Sequence, residues 1–262
     1  MSKKIYWFLI VTFLTSVGLQ AQNDNRKELL NQKRGITYDS ELTGNIKLMT
    51  NGWSIGGHYG LLKKWNSTTL YTVEFGELKH FKESRQRADY SVSAFGRSAS
   101  SFTYGKQNSF FTLRAGLGQK RYFSEKARRK GVAVGMFYNF GPSLGIIKPY
   151  YLEVTRLEQG TNRVNINDVR YSENTAQEFL NKNRIYGSSS IAMGLNEINL
   201  AVGAHAKLAL HLDWGAFEEH VKALEVGIAA DFYFQKIPIM VSDDNRPYFI
   251  NLYAALQLGK RK

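Results

Sequence analysis

Positions 198–213 read Ile-Asn-Leu-Ala-Val-Gly-Ala-His-Ala-Lys-Leu-Ala-Leu-His-Leu-Asp. Ile198, Leu200, Val202, Ala204, Ala206, Leu208, Leu210 and Leu212 fall on one face of an extended chain. Asn199, Ala201, Gly203, His205, Lys207, Ala209, His211 and Asp213 fall on the other. Successive side chains of a strand point to opposite faces, so an alternation this long predicts a single long β-strand. It exceeds the ~9–11 residues with which a tilted strand crosses a bilayer. The second face decides the fold. A soluble sandwich would wet that face, yet here it mixes Gly and Ala with ionisable groups, as the crowded inside of a narrow barrel does.

The same period recurs on both sides of this stretch. Trp53, Ile55, Gly57, Tyr59 and Leu61 oppose Ser54, Gly56, His58 and Gly60, and Tyr71, Val73 and Phe75 oppose Thr72, Glu74 and Gly76. Further on, Phe111, Leu113, Ala115 and Leu117 oppose Thr112, Arg114, Gly116 and Gly118. Val132, Val134, Met136, Tyr138 and Phe140 oppose Ala133, Gly135, Phe137 and Asn139. After the opening stretch, Leu224, Val226, Ile228, Ala230, Phe232 and Phe234 oppose Glu225, Gly227, Ala229, Asp231 and Tyr233. Finally, Ile250, Leu252, Ala254, Leu256 and Leu258 oppose Asn251, Tyr253, Ala255 and Gln257. With a weaker stretch at 42–49, the reading is an all-β, transmembrane, antiparallel up-and-down β-barrel of eight strands with long extracellular loops.

The connections agree with that reading. Links at 63–68, 122–130 and 215–222 are short, whereas those at 79–108 and 145–197 are long and 235–247 is intermediate. Short turns on the periplasmic side and long loops outside are the rule for such barrels, and only the first outer turn, 50–52, breaks it. Trp65, Tyr122, Phe123, Trp214 and Phe217 lie at the short turns, where an aromatic girdle is expected. Within the largest loop, 172–183 predicts a short helix capped by Ser172 or Asn174.

The N-terminus supplies the route. Lys3 and Lys4 precede an apolar run at 5–14 and small residues up to Ala21, which predicts a secretory signal over 1–21, cleaved before Gln22. The polar segment 22–37 then reads as a periplasmic tail and 38–262 as the barrel. The 262 residues contain no Cys, which excludes disulfide scaffolds, zinc-thiolate centres and thiol nucleophiles. A 43% hydrophobic and 22% charged composition excludes a disordered chain. The net charge of +13 does not imply nucleic acid, which an exported barrel does not meet.

Two groups of residues carry whatever chemistry there is. The inward faces hold Lys47, His58, Glu74, Arg114, His205, Lys207, His211, Asp213, Glu225 and Asp231. Charges in a low-dielectric lumen need partners, so these predict a paired polar network that fills and braces the barrel. A proton-transfer or permeation path is the sharper alternative. His205 and His211 stand ~20 Å apart at the usual strand rise and cannot share one ion. A triad completed by Ser54 would need cross-barrel geometry. The chain has no phosphate-binding Walker loop, GxSxG or HExxH. No cofactor, metal or catalytic residue is expected.

The second group is a basic periplasmic edge of Lys63, Lys64, Lys126, Arg128, Arg129, Lys130, Lys260, Arg261 and Lys262, joined by Lys120 and Arg121. It predicts contact with phospholipid headgroups, with an acidic periplasmic partner as the alternative. Lys79, Lys82, Arg85, Arg87 and Arg97 of the first long loop predict contact with the phosphates of lipopolysaccharide.

Particular motifs resemble small outer-membrane barrels of Bacteroidota. They are the Ala21-Gln22 junction, the stretch Gly-Leu-Asn-Glu-Ile-Asn-Leu at 194–200, the Asp213-Trp214-Gly215 turn and Asn-Leu-Tyr-Ala-Ala-Leu-Gln-Leu-Gly-Lys at 251–260. The chain departs from many such barrels in placing Lys260-Arg261-Lys262 after the last strand, where an aromatic is usual. The resemblance implies a non-enzymatic subunit of an outer-membrane assembly or secretion machine, partnered by another barrel and surface lipoproteins. An outer-membrane lipid-modifying enzyme and a small passive channel are the alternatives.

Overall fold

The computed structural model describes residues 38–64, 66–87, 99–123, 131–157, 164–216, 218–242 and 244–262. The signal and tail at 1–37, Trp65, Arg97, the edge residues Lys126, Arg128, Arg129 and Lys130, and Phe217 lie outside them.

In chain order the strands are β1 (Ser40–Met49), β2 (Gly52–Lys64), β3 (Ser67–Leu78), β4 (Arg85–Gln86), β5 (Phe102–Thr103) and β6 (Asn108–Tyr122). They continue as β7 (Ala133–Pro149), β8 (Tyr151–Leu157), β9 (Val164–Arg170), β10 (Ile185–Ser188), β11 (Asn199–Asp213), β12 (His220–Tyr233) and β13 (Tyr248–Arg261). Eight of them, β1, β2, β3, β6, β7, β11, β12 and β13, close into one antiparallel barrel. Each pairs with its neighbour in the chain, and β1 zips onto β13 from Glu41 opposite Arg261 to Met49 opposite Tyr253.

Alternation sorts the side chains as the period requires. Outward residues remain exposed: Leu48 keeps 68% of its surface, Leu252 62% and Leu258 67%, and similar side chains continue round every barrel strand. A soluble sandwich would bury such a belt, and no ordinary wet surface carries one this large. Between its charged rims this wall has no Asp, Glu, Lys, Arg or His side chain, which suits hydrocarbon. The chain is a transmembrane β-barrel.

The strands run longer than the alternation alone suggested, and three assignments change with them. Arg261 is not at the headgroup edge. β13 continues through the Lys260-Arg261 tail, so parity sends Lys260 outward and Arg261 into the lumen, where it keeps 4% of its surface. Lys120 and Tyr122 likewise share the inward parity of Arg114 on β6 and are buried. Phe123 and Trp214 remain exposed at the rim, as do Lys63, Lys64, Lys260 and Lys262.

The largest loop also holds more than a helix. β8, β9 and β10 form a three-stranded sheet, and Ser172 caps the helical turns at Glu173–Thr175 and Ala176–Phe179 through a reciprocal pair of hydrogen bonds with Thr175. Phe102, Leu152, Val154, Val169, Phe179 and Ile185 make a core of its own above the barrel.

Candidate functional site

The lumen is built in tiers. At the periplasmic end, Lys120 donates to Glu41 at 2.5 Å, and Arg261 reaches Glu41 at 3.3 Å and Asp213 at 2.8 Å. Tyr122 donates to the same Asp213 oxygen at 2.8 Å. Arg261 also donates to the carbonyls of Gly215 and Glu218, at 2.6 and 2.9 Å, which ties the last turn of the chain to the β11–β12 turn. Above this, Glu225 accepts from Gln257 at 2.5 Å and lies 3.3 Å from His211 Nδ1.

The middle tier centres on Glu74. Lys47 Nζ donates to both its oxygens at 2.8 and 3.0 Å, and Lys207 pairs with Oε2. His58 Nε2 lies 3.5 Å from Glu74 and 2.8 Å from Asn45 Nδ2. The glycine at 56 makes room here, since a Cβ on it would stand 2.6 Å from Glu74 Cγ. Next, Arg114 grips Asp231 through two parallel bonds of 2.6 and 2.9 Å, the fork that suits a carboxylate. His205 is held by Asn139 at 2.7 Å and the Pro142 carbonyl at 3.2 Å, and Asn139 donates onward to Thr72.

Five buried cations, Lys47, Arg114, Lys120, Lys207 and Arg261, are thus matched in number by five buried carboxylates, Glu41, Glu74, Asp213, Glu225 and Asp231, of which Glu225 is held by Gln257 and His211 rather than by a cation. Such a balance leaves no net charge to attract or pass one sign of ion. The ten lumen residues expected from the sequence all lie buried in this stack, and Glu41, Lys120, Arg261, Tyr122 and Gln257 complete it.

A lid closes the outer mouth. Phe110 packs edge-on to Tyr233 with centroids 5.1 Å apart and stacks on Phe249 at 5.4 Å. Residues 235–242 fold over these rings, burying Ile237, Ile239 and Met240 in the same cluster. The lid is pinned by Asn108, whose side chain donates to the Pro238 carbonyl at 2.6 Å, and by Gln107 N donating to Ile239 O at 2.8 Å.

Among the described residues no three His, Asp or Glu side chains come together as metal ligands. Ser54 Oγ makes no hydrogen bond, so the Ser54 triad is not assembled.

No protein-family model and no curated protein matches the chain. Among solved structures it aligns with the N-terminal β-barrel domain of Pseudomonas aeruginosa OprF, at 8% identity and TM-score 0.32, over 84% of this chain and 98% of that one. It also aligns with Ail, the attachment invasion locus protein of Yersinia pestis, at 8% identity and TM-score 0.35, over 85% and 95%. Neisserial surface protein A aligns at 7% identity and TM-score 0.32, over 85% and 94%. Likeness at this level assigns no function.

Outside the membrane, the loops are cross-braced. Arg156 pairs with Glu178, Arg170 with Glu197, and Lys82 with Asp244. The Arg156 guanidinium holds the Glu178 carboxyl below its usual range. His80, packed on Phe81 with centroids 4.4 Å apart, accepts from the Lys82 backbone at 3.3 Å, and burial lowers its pKa from the ordinary 6.5.

Proposed function

We propose that this chain is a non-enzymatic integral outer-membrane barrel that serves as an accessory subunit of an outer-membrane protein complex, of the assembly or secretion kind. The observation that carries the reading is a division of labour. The lumen is filled by a charge-balanced polar network and lidded by apolar side chains, while the outer loops carry a platform with a core of its own. A barrel that passed solutes would need an open path, and loops with no contact to make would not need a core. Phe81 and Leu195 stand exposed on the outer loops, and apolar side chains there are what a protein partner covers. Another outer-membrane barrel and surface lipoproteins are the partners proposed. The exposed Lys63, Lys64, Lys260 and Lys262 give the periplasmic rim its lipid contact.

The test is affinity recovery of a tagged copy from native membranes in mild detergent, with mass spectrometry of what comes with it. The reading predicts stoichiometric recovery of a second barrel and of lipoproteins from the wild-type chain. It predicts their loss from Phe179→Ala, whose barrel survives. Recovery of the wild type alone would overturn it.

A further inference from the structure

A cleft of about 480 Å³ opens on the outside of the barrel wall at its extracellular rim, under the overhang of the loops. This volume is in the ~300–1,000 Å³ range of small-molecule sites. Its floor is set by strand register. Trp53 stands opposite Glu77, Glu77 opposite Phe111, and, one step nearer the rim, Ser109 opposite Lys148, all on the outward face. Its roof comes from β4, β5 and the serine run at 188–190.

The charges do not cancel here. Lys79, Arg85, Lys106 and Lys148 line the cleft with only Glu77 and Glu83 to answer them. Both carboxylates are engaged: Lys106 sits 2.9 Å from Glu83 and 3.8 Å from Glu77, the Trp53 indole donates to Glu77 at 3.1 Å, and the His80 backbone donates to Glu83 at 3.0 Å. Lys79, Arg85 and Lys148 keep no carboxylate partner among the described residues. Lys148 is the telling one, because it retains only 7% of its surface and still lies without a counter-charge. Its stem is buried while it lines the cleft, and an ammonium partly screened from water with no carboxylate in reach is stabilised when an anion joins it.

Below the cleft the wall turns wholly apolar. The next outward row toward the membrane is Ile55, Phe75, Leu113 and Leu144, aligned across four strands. Phe75 stacks on Phe111 with centroids 5.9 Å apart and meets Trp53 edge-on at 6.5 Å. A cationic cleft directly above an aromatic and aliphatic wall matches a molecule with an anionic head and hydrocarbon tails.

We infer that this cleft binds the phosphorylated headgroup of an outer-leaflet lipid of the lipid A class. Its phosphate lies among Lys79, Arg85 and Lys148, and its acyl chains run down the Phe75 and Leu113 wall. The Arg85 fork supplies paired donors to phosphate oxygens, and the two lysines act as point charges. The inference is independent of the subunit role, since a lone barrel would hold the lipid equally.

The full chain in detergent micelles, titrated with bisphosphorylated lipid A and followed by native mass spectrometry, tests it. Lipid A should bind, and both Arg85→Ala and Lys148→Ala should weaken binding by about tenfold or more, as loss of a charge-assisted bond does. Dephosphorylated lipid A should lose affinity similarly, and inorganic phosphate should fail to displace the lipid. Arg85 is exposed and outside the barrel strands, so Arg85→Ala reports even where Lys148→Ala disturbs β7. Arg246→Ala, outside the cleft, should bind as wild type. Equal affinity for the dephosphorylated lipid, unchanged affinity in both variants, or full displacement by inorganic phosphate would each overturn the assignment.

Discussion

At the scale of single residues, the lumen pairs and the rim pairs differ in what surrounds them. Arg114 and Asp231 are desolvated, so deleting one leaves a bare charge in a low dielectric. Asp231→Ala should therefore cost about 3–5 kcal/mol, read as the urea midpoint of the barrel in lipid vesicles by tryptophan fluorescence. Lys260 pairs with Glu219 in open solvent at 2.8 Å, and Lys260→Ala should leave that midpoint in place. His80 adds a pH dependence. Its folded pKa lies below 6.5, so as pH falls through that value the opened loop takes up the proton first and the closed loop loses stability. Proteolysis of the 79–87 loop should be faster at about pH 5.5 than at about pH 7.5, and His80→Gln should flatten the difference. The sequence showed the parity of Lys47 through Asp231 because small and apolar neighbours framed each one. It hid Glu41, Lys120 and Arg261, because a charge near a strand end looks like a rim residue until the strand's last residue is known. Counting parity from Arg114 to Lys120, or from Leu258 to Arg261, is the signal that finds them.

At the scale of elements, the barrel strands and the loop platform rest on separate cores. Phe179 is fully buried among Leu152, Val154 and Ile185, so Phe179→Ala should cost the platform about 3–5 kcal/mol. Limited proteolysis should then cut within 151–188 while the barrel still resists heat and detergent on gels. The opposite result comes from the lumen side of β2. A side chain at 56 meets Val73 O at 2.5 Å as well as Glu74, so Gly56→Leu should prevent the barrel from closing, seen as loss of that resistance. The platform was poorly legible in the sequence for a physical reason. Leu152 and Val154 do alternate with Glu153 and Thr155, but strands this short, with polar outer faces, give too few repeats to stand out from loop. The barrel strands were legible because lipid demands an unbroken apolar face on each of them.

At the scale of the whole molecule, a neutral, filled lumen and a lid built on Phe110, Tyr233 and Phe249 make the barrel a closed post in the membrane. Planar bilayers containing it should show no steady single-channel current, which leaves membership of a larger assembly to be tested. The most direct measurement is the native mass of the gently extracted particle. The account predicts one defined mass well above that of a single chain, collapsing to the lone barrel when the platform is destabilised by Phe179→Ala. A wild-type particle of one chain and its bound lipid, with the platform intact, would contradict it.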